Sequence, residues 1–376
     1  MAGSDIATWI NAISQLIFLI IFLGLFLGAN QKLQIYVWTK DIRAKLALLD
    51  DLRKNAKKKT LDYMAKNRAK EAASLLDRVV NFFVIPPVDI EPTDIIRRLD
   101  HLFNLRTRRF RDDFQRHMPE ADEVARSKAE TAAEITAALD FIYKYVRHLL
   151  LTGEKTKNWI LIMQLQLVMP QIVEIAQTYS KALDDFLSGA PIGDAAGPIV
   201  AVRLAGYDTE WRKVNEDTVV AESELEGRRL VIVKAKGPES NVGRPGYATE
   251  LVVEELVRSG SKPSLMITVD AALKLEGEET GTVADGVGAA IGDPGPEKIR
   301  FERIAAKHKI PLRAVIVKMG MDEAILTMNK KIGDALEAAV ERVKNIILRE
   351  SKPGDTVVVI GVGNSIGVGQ MIAGGA

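Results

Sequence analysis

The chain contains no cysteine in 376 residues. That excludes disulfides, thiolate metal sites and a cysteine nucleophile, and it suits a reducing or a hot interior alike. Histidine is scarce as well: His101, His117, His148 and His308 stand far apart, without the spacing of a metal site. Aromatic residues make up only 6%. Neither sign of charge prevails, with 51 Lys and Arg against 50 Asp and Glu, a formal +1. The global field that would demand nucleic acid is therefore missing. There is no Walker A lysine loop, and no basic residue precedes Lys32.

What is present begins with an apolar run. Ile10 to Gly28 carries no charge, and none lies between Asp5 and Lys32. At about 1.5 Å per residue, roughly 20 apolar residues cross about 30 Å of hydrocarbon. The run reads as an N-terminal transmembrane helix (1–30 as the anchor). A cleaved signal peptide would place basic residues before a shorter run. Lys32, Lys40, Arg43 and Lys45 follow the span, so the N-terminus is expected outside and the bulk of the chain cytoplasmic. The lipid bilayer of the cell membrane is the first expected partner.

Residues 31–190 read as a helical stalk or bundle. Ile35, Ile42, Leu46, Leu49 and Leu52 recur at helical spacing, with Tyr36 and Trp38 where an interfacial belt would sit. With no Gly or Pro before Pro86-Pro87, one helix is expected over 31–85. A second, from Pro92-Thr93-Asp94, interleaves arginines with Phe103, Phe110 and Phe114. That mixture can grip nucleic acid. Arg108–Asp112 and Arg109–Asp113 are expected to pair and neutralise it, so nucleic acid is not the partner read here. A third helix is expected to break at Gly153. The fourth, Trp159 to Pro170, is too short and amide-rich for a second span, and Pro170 should kink it.

Composition changes over 188–198, where glycine and proline enter. Residues 191–376 read as a three-layer, mostly parallel α/β (Rossmann-like) domain. Strands are expected at Ile199–Leu204, Thr218–Ala221, Leu230–Lys234, Leu265–Val269, Leu312–Val317 and Thr356–Ile360. Helices are expected at Ala248–Arg258, Glu297–His308 and Asp322–Arg349.

Ligands of such sheets bind outside the carboxyl ends of the strands. The loops there supply Asn241, Gly243, Arg244, Asp270, Lys274, Gly288, Asp293, Gly361, Gly363, Asn364 and Ser365. Glycine frees backbone N–H groups to cradle a phosphate or carboxylate, and Arg244 or Lys274 would neutralise it. The competing reading is that these glycines serve tight turns and close packing. No cofactor is specified by either.

Named motifs fail. Gly363-Asn-Ser365-Ile-Gly367 matches G-x-S-x-G, but no acid and histidine follow it. Gly361 to Gly367 is a dinucleotide fingerprint with one residue too many. Glu276, Glu278 and Glu279, with Asp270, Asp285 and Asp293, offer oxygens to Mg²⁺, though such clusters are more often solvated loop surface.

The order of these passages is distinctive: a single span, a helical region ending in Ala190-Pro-Ile-Gly-Asp-Ala-Ala-Gly-Pro198, then Val283 to Lys298 with its Gly-Asp-Pro-Gly-Pro core, then a glycine-rich tail. It resembles an archaeal family of uncharacterised single-span membrane-anchored proteins of about this length. The resemblance implies the anchored architecture and brings no catalytic residues. The expectation is a membrane-anchored, homo-oligomeric scaffold. The alternative is an anchored enzyme or sensor that binds a phosphorylated small molecule or nucleotide at the strand ends.

Overall fold

The computed structural model of the chain describes residues 14–15, 29–87, 92–206, 208–292 and 295–370. The expected span Ile10 to Gly28 lies outside the described residues except for Ser14 and Gln15, and Asp293 also lies outside them. The chain divides into two compact units, Met1–Asn55 with Ala138–Gln177, and Ala56–Ala137 with Thr178–Ala376. Helices α1 (Ala29–Lys66), α4 (Glu123–Thr156) and α5 (Trp159–Ser188) each contribute to both.

The first unit is a three-helix bundle. Ile42 and Leu49 of α1, Leu139, Val146 and Leu150 of α4, and Ile162, Leu165, Met169 and Ala176 of α5 are all buried. Their steps of three, four and seven make one apolar seam per helix, the pattern that packs helices at shallow angles. Arg43 pairs with Glu154 at 2.8 Å and Arg53 with Asp140 at 3.1 Å, so α1 and α4 run antiparallel. Gln166 donates to Asp41 at 2.7 Å, and α5 runs parallel to α1.

One helical expectation changes here. Gly153 does not break α4, which continues to Thr156. Its missing side chain instead admits Ile162, whose Cδ1 a β-carbon at 153 would approach to 2.5 Å. Pro170 lies inside α5, which runs through it for 30 residues. By length and composition α5 is apolar enough to cross a membrane, and core helices pass the same test. Its buried seam and the Gln166–Asp41 bond make it a bundle helix here.

In the second unit, α1 stops at Lys66, well before the expected prolines. The chain turns through Arg68 (φ +56°) and Glu71 (φ +49°) into α2 (Ala72–Val80), and Lys70 donates its N–H to the His117 carbonyl at 2.7 Å. No glycine or proline marks this turn, and non-glycine residues hold the left-handed region. Helix α3 (Pro92–His117) closes a cluster of Met64, Leu75, Leu76, Phe110, Phe114 and Met118.

The remainder is a seven-stranded sheet in the order β1-β2-β3-β7-β4-β6-β5. The strands are β1 (Trp211–Lys213), β2 (Thr218–Leu225), β3 (Arg228–Ala235), β4 (Leu265–Leu273), β5 (Val283–Val287), β6 (Leu312–Met319) and β7 (Thr356–Gly361). The four central strands, β3, β7, β4 and β6, are parallel, while β1, β2 and β5 pair antiparallel at the edges. Helices α6 (Ala196–Ala205) and α10 (Lys330–Glu350) cover one face. Helices α7 (Pro245–Arg258) and α8 (Pro296–His308) cover the other. The mixed α/β fold with a three-layer core is as expected.

Three segments differ. Ile199–Leu204 is helix α6 rather than a strand, because Gly197 lets that helix rest directly on the sheet, where a β-carbon would collide with the Val269 and Val362 carbonyls. The edge strand β5 occupies part of a stretch read only as glycine-rich loop. The helix expected over Asp322–Arg349 is two, α9 (Met321–Ile325) and α10, the second capped by the Asn329 side chain, which accepts from Ile332 N at 3.0 Å.

Candidate functional site at the strand ends

Strand β3 leads into α7 on one face, whereas α10 feeds β7 from the other. The adjacent carboxyl ends of β3, β7 and β4 therefore sit at the place where chain direction reverses, the usual position of a crevice in such sheets. Seven of the expected residues, Asn241, Gly243, Asp270, Gly361, Gly363, Asn364 and Ser365, meet there. Ser365 is fully buried and donates its hydroxyl to the Ala235 carbonyl at 2.8 Å. Its N–H donates to the Asn241 carbonyl at 2.9 Å. Asn241 folds its own loop, accepting from Gly243 N and donating to the Lys236 carbonyl. Asn364 accepts from Ile366 N at 2.9 Å and donates its N–H to Asp194 Oδ2 at 2.8 Å.

Asp194, in the 3-10 turn Gly193–Ala195 before α6, was not among the residues read from sequence. Burial raises its pKa, against the Asn364 N–H that lowers it. Asp270, at the end of β4, is 5% exposed. Burial pushes its carboxyl well above the ordinary range, and the Asp194 charge pushes it further. N–H bonds from Ala271 and Gly292 oppose that shift without cancelling it. Two buried carboxyls, one of which disfavours the other's ionisation, thus share one end of the sheet. Lys234, near the end of β3, is fully buried, donates to the Ala235 carbonyl at 3.0 Å and lies 5.3 Å from the Trp211 ring centre. Burial lowers its pKa to about 8.

The glycines here are packing positions. A β-carbon at Gly361 would collide with the Gly197 carbonyl, one at Gly363 (φ +128°) with the Asp194 carbonyl, and one at Gly237 with the Val368 carbonyl. Backbone therefore meets backbone where the sequence suggested a cradle of N–H groups.

The other expected residues lie elsewhere. Arg244 is held by Asp100 of α3 at 2.9 Å and faces Glu297 at 3.8 Å. Arg300 joins the same Asp100 at 3.0 Å, and both guanidinium groups lie over the Tyr247 ring. Lys274 lies on the β4–β5 connection, where Nζ donates to the Glu278 carbonyl at 3.3 Å. Gly288 (φ +106°) follows β5, with open space where a β-carbon would stand. Of the acidic loop residues, Glu278 pairs with Lys318 and Asp285 with Arg342. Among the described residues no three acids or histidines gather as a metal site.

A separate groove of about 600 Å³ opens on the second unit, lined by Arg78, Arg108, Arg109, Asp112, Asp113 and Arg116. The expected Arg108–Asp112 and Arg109–Asp113 pairs are not among its ion pairs. Arg109 instead lies over the Phe82 ring at 5.4 Å, and Asp113 is 4.0 Å from Arg116. Residues missed by sequence reading, Asp194 and Lys234, share one signal: a charged residue beside an otherwise apolar or small-residue run.

Fold and strand-end geometry define a mixed α/β protein with a helical N-terminal half. The chain belongs to the family described as "Protein of unknown function (DUF1512) N-terminal domain" over residues 16–189 and "Domain of unknown function (DUF1512) C-terminal" over residues 192–369. Comparison with curated proteins gives no match. Among solved structures, a proteasome-assembly chaperone homologue from Mycobacterium tuberculosis is similar at 13% identity and a TM-score of 0.30, covering 43% of this chain and 83% of its own.

Proposed function

We propose that the protein is a membrane-anchored scaffold of the cytoplasmic face that self-associates through its helical bundle. The observation that carries this reading is apolar surface on the first unit. Phe141 and Tyr145 of α4 stack at 5.8 Å yet are 65% and 52% exposed, and Leu167 of α5 is 71% exposed. Large apolar groups held in water on a well-packed bundle are the usual mark of a contact with another chain. The apolar run Ile10 to Gly28 supports the anchor, and the basic residues after it support the orientation.

The test is the mass of the full-length protein extracted in mild detergent, by native mass spectrometry. A discrete homo-oligomer that dissociates in Phe141→Glu/Tyr145→Glu supports the reading. A monomer overturns it.

A second reading, an anionic small molecule at the strand ends, is favoured only by the buried Asp194, Asp270 and Lys234. Two carboxyls suit a phosphate poorly, and the arginine expected to neutralise it is already held by Asp100. We therefore rank it below the scaffold.

A further inference from the structure

The bundle's own register places the α4–α5 turn level with Gln34 of α1. Gln166 of α5 bonds Asp41 of α1, and the two helices run parallel. Trp159 precedes Gln166 by as many residues as Gln34 precedes Asp41, so Trp159 stands level with Gln34. On the antiparallel partner, Glu154 is level with Arg43, and the turn after Thr156 comes down to the same height. Helix α1 is described from Ala29, the residue that follows the apolar run Ile10 to Gly28 in the sequence. From Ala29 to Gln34 the axial rise is about 8 Å, roughly the thickness of one headgroup layer.

The side chains at that height suit the layer. Trp159 and Ile160 are 39% and 47% exposed, and Leu33, Tyr36 and Val37 of α1 are exposed beside them in height. Trp and Tyr favour the membrane–water interface, where an apolar ring and a polar edge are both satisfied. Lys155, in the last turn of α4, and Lys157 are exposed, and no carboxylate among the described residues pairs with either. Glu154 and Asp41, the nearest acids in register, are occupied by Arg43 and Lys45.

The turn is also built rather than loose. Lys157 takes φ +54°, Asn158 N donates to the Gly153 carbonyl at 2.9 Å, and the Asn158 side chain caps α5 by accepting from Leu161 N at 3.1 Å. Gly153 lets Ile162 close the hairpin.

We propose that the α4–α5 turn is a second membrane contact, with Trp159 and Ile160 seated in the headgroup layer of the bilayer that Ile10–Gly28 enters, and with Lys155 and Lys157 on anionic headgroups. This rests on the anchored reading above. Two contacts, the span and the turn, would fix the bundle upright, where a single helix leaves it able to tilt. A lipid surface is the occupant, in preference to a second copy, because the turn is level with Gln34, six residues after the apolar run in the sequence, and presents unpaired positive charge.

The absence of cysteine makes the test direct. Single variants Ile20→Cys, Ile160→Cys and Glu174→Cys of the full-length chain are spin-labelled and reconstituted in vesicles of phosphatidylcholine with phosphatidylglycerol. Accessibility to oxygen and to a water-soluble nickel chelate is then read. Residue 174 lies about 21 Å further along α5 than residue 160. The expected oxygen-to-nickel ratio is high at 20, intermediate at 160 and several-fold lower at 174. Lys155→Glu/Lys157→Glu should shift the 160 value toward that of 174. A hydrocarbon signal at 20 with an aqueous one at 160 would sink the second contact and leave the anchor standing. Shielding of 160 from both reagents would mean a protein neighbour, and would also sink it. An aqueous signal at 20 would instead overturn the anchored reading itself.

Discussion

Arg244 donates to both carboxylate oxygens of Asp100, at 2.9 and 3.2 Å. The residues are 144 apart in sequence and tie α3 to the start of α7. Arg300 shares Asp100, and burial pushes the Glu297 carboxyl up despite both arginines. The cation that the sequence offered to a ligand is thus part of a half-buried ion network.

Arg244→Ala should therefore destabilise the fold by about 2–4 kcal/mol, since it leaves Asp100 and Glu297 short of a partner in a partly buried site. Urea denaturation of Arg244→Ala, Asp100→Ala and the double variant checks this. The two single losses should be strongly non-additive. Additive losses would mean that the pair contributes nothing.

Gly363 and Gly288 both have positive φ, but only Gly363 is crowded. Gly288→Ala should cost about 1–2 kcal/mol from backbone strain alone. Gly363→Ala adds a collision with the Asp194 carbonyl and should exceed 3 kcal/mol (on the order of the largest single-residue losses) or abolish soluble expression. Equal thermal shifts for the two would refute the close approach.

Glu130 of α4 should make stability depend on pH. Burial raises its pKa to about 7, helped by the Glu134 charge. A carboxyl raised above its unfolded value binds a proton in the native state that the unfolded state releases, so its contribution is full below about pH 4.3 and is lost as pH rises through 7. Glu130→Gln should therefore gain stability over the native protein at pH 8, on the order of 2 kcal/mol, and little at pH 4.5. Thermal melts at both values decide it. A gain independent of pH would point to packing.

Lys234 gives an effect of the opposite sign at higher pH. Its pKa of about 8 means that the unfolded state binds the extra proton between pH 8 and about 10.4, so native stability rises with pH across that window. Lys234→Met keeps the buried stem and removes the charge. It should stabilise at pH 7, and the advantage should shrink toward zero above pH 10. Denaturant titrations at the two ends of the range measure the difference.

Most elements of the α/β half were legible because their strands are continuous apolar runs and two of their helices open on proline. Leu265 onward and Thr356 onward read as buried strands, and Pro245 and Pro296 stand at helix starts. The failures have two causes. Ile199–Leu204 is rich in β-branched residues, yet becomes α6 because Gly197 and Ala201 fit against the sheet. Local preference was outweighed by a contact with residues far along the chain. The end of α1 at Lys66 was invisible because Arg68 and Glu71, rather than glycines, take positive φ there.

Composition and periodicity alone settled the class: a helical first half, an α/β second half, no cysteine chemistry, and an apolar run at the start. These follow from local spacing, which each segment carries within itself. What each loop residue does was decided by tertiary structure. Asn241, Asn364 and Ser365 came together from opposite ends of the domain, whereas Arg244 went to Asp100 on another helix. Asp194 and Lys234 gained their altered acidities only from burial. A side chain's partner and its solvent exposure depend on which distant segments arrive beside it, and no local pattern encodes that.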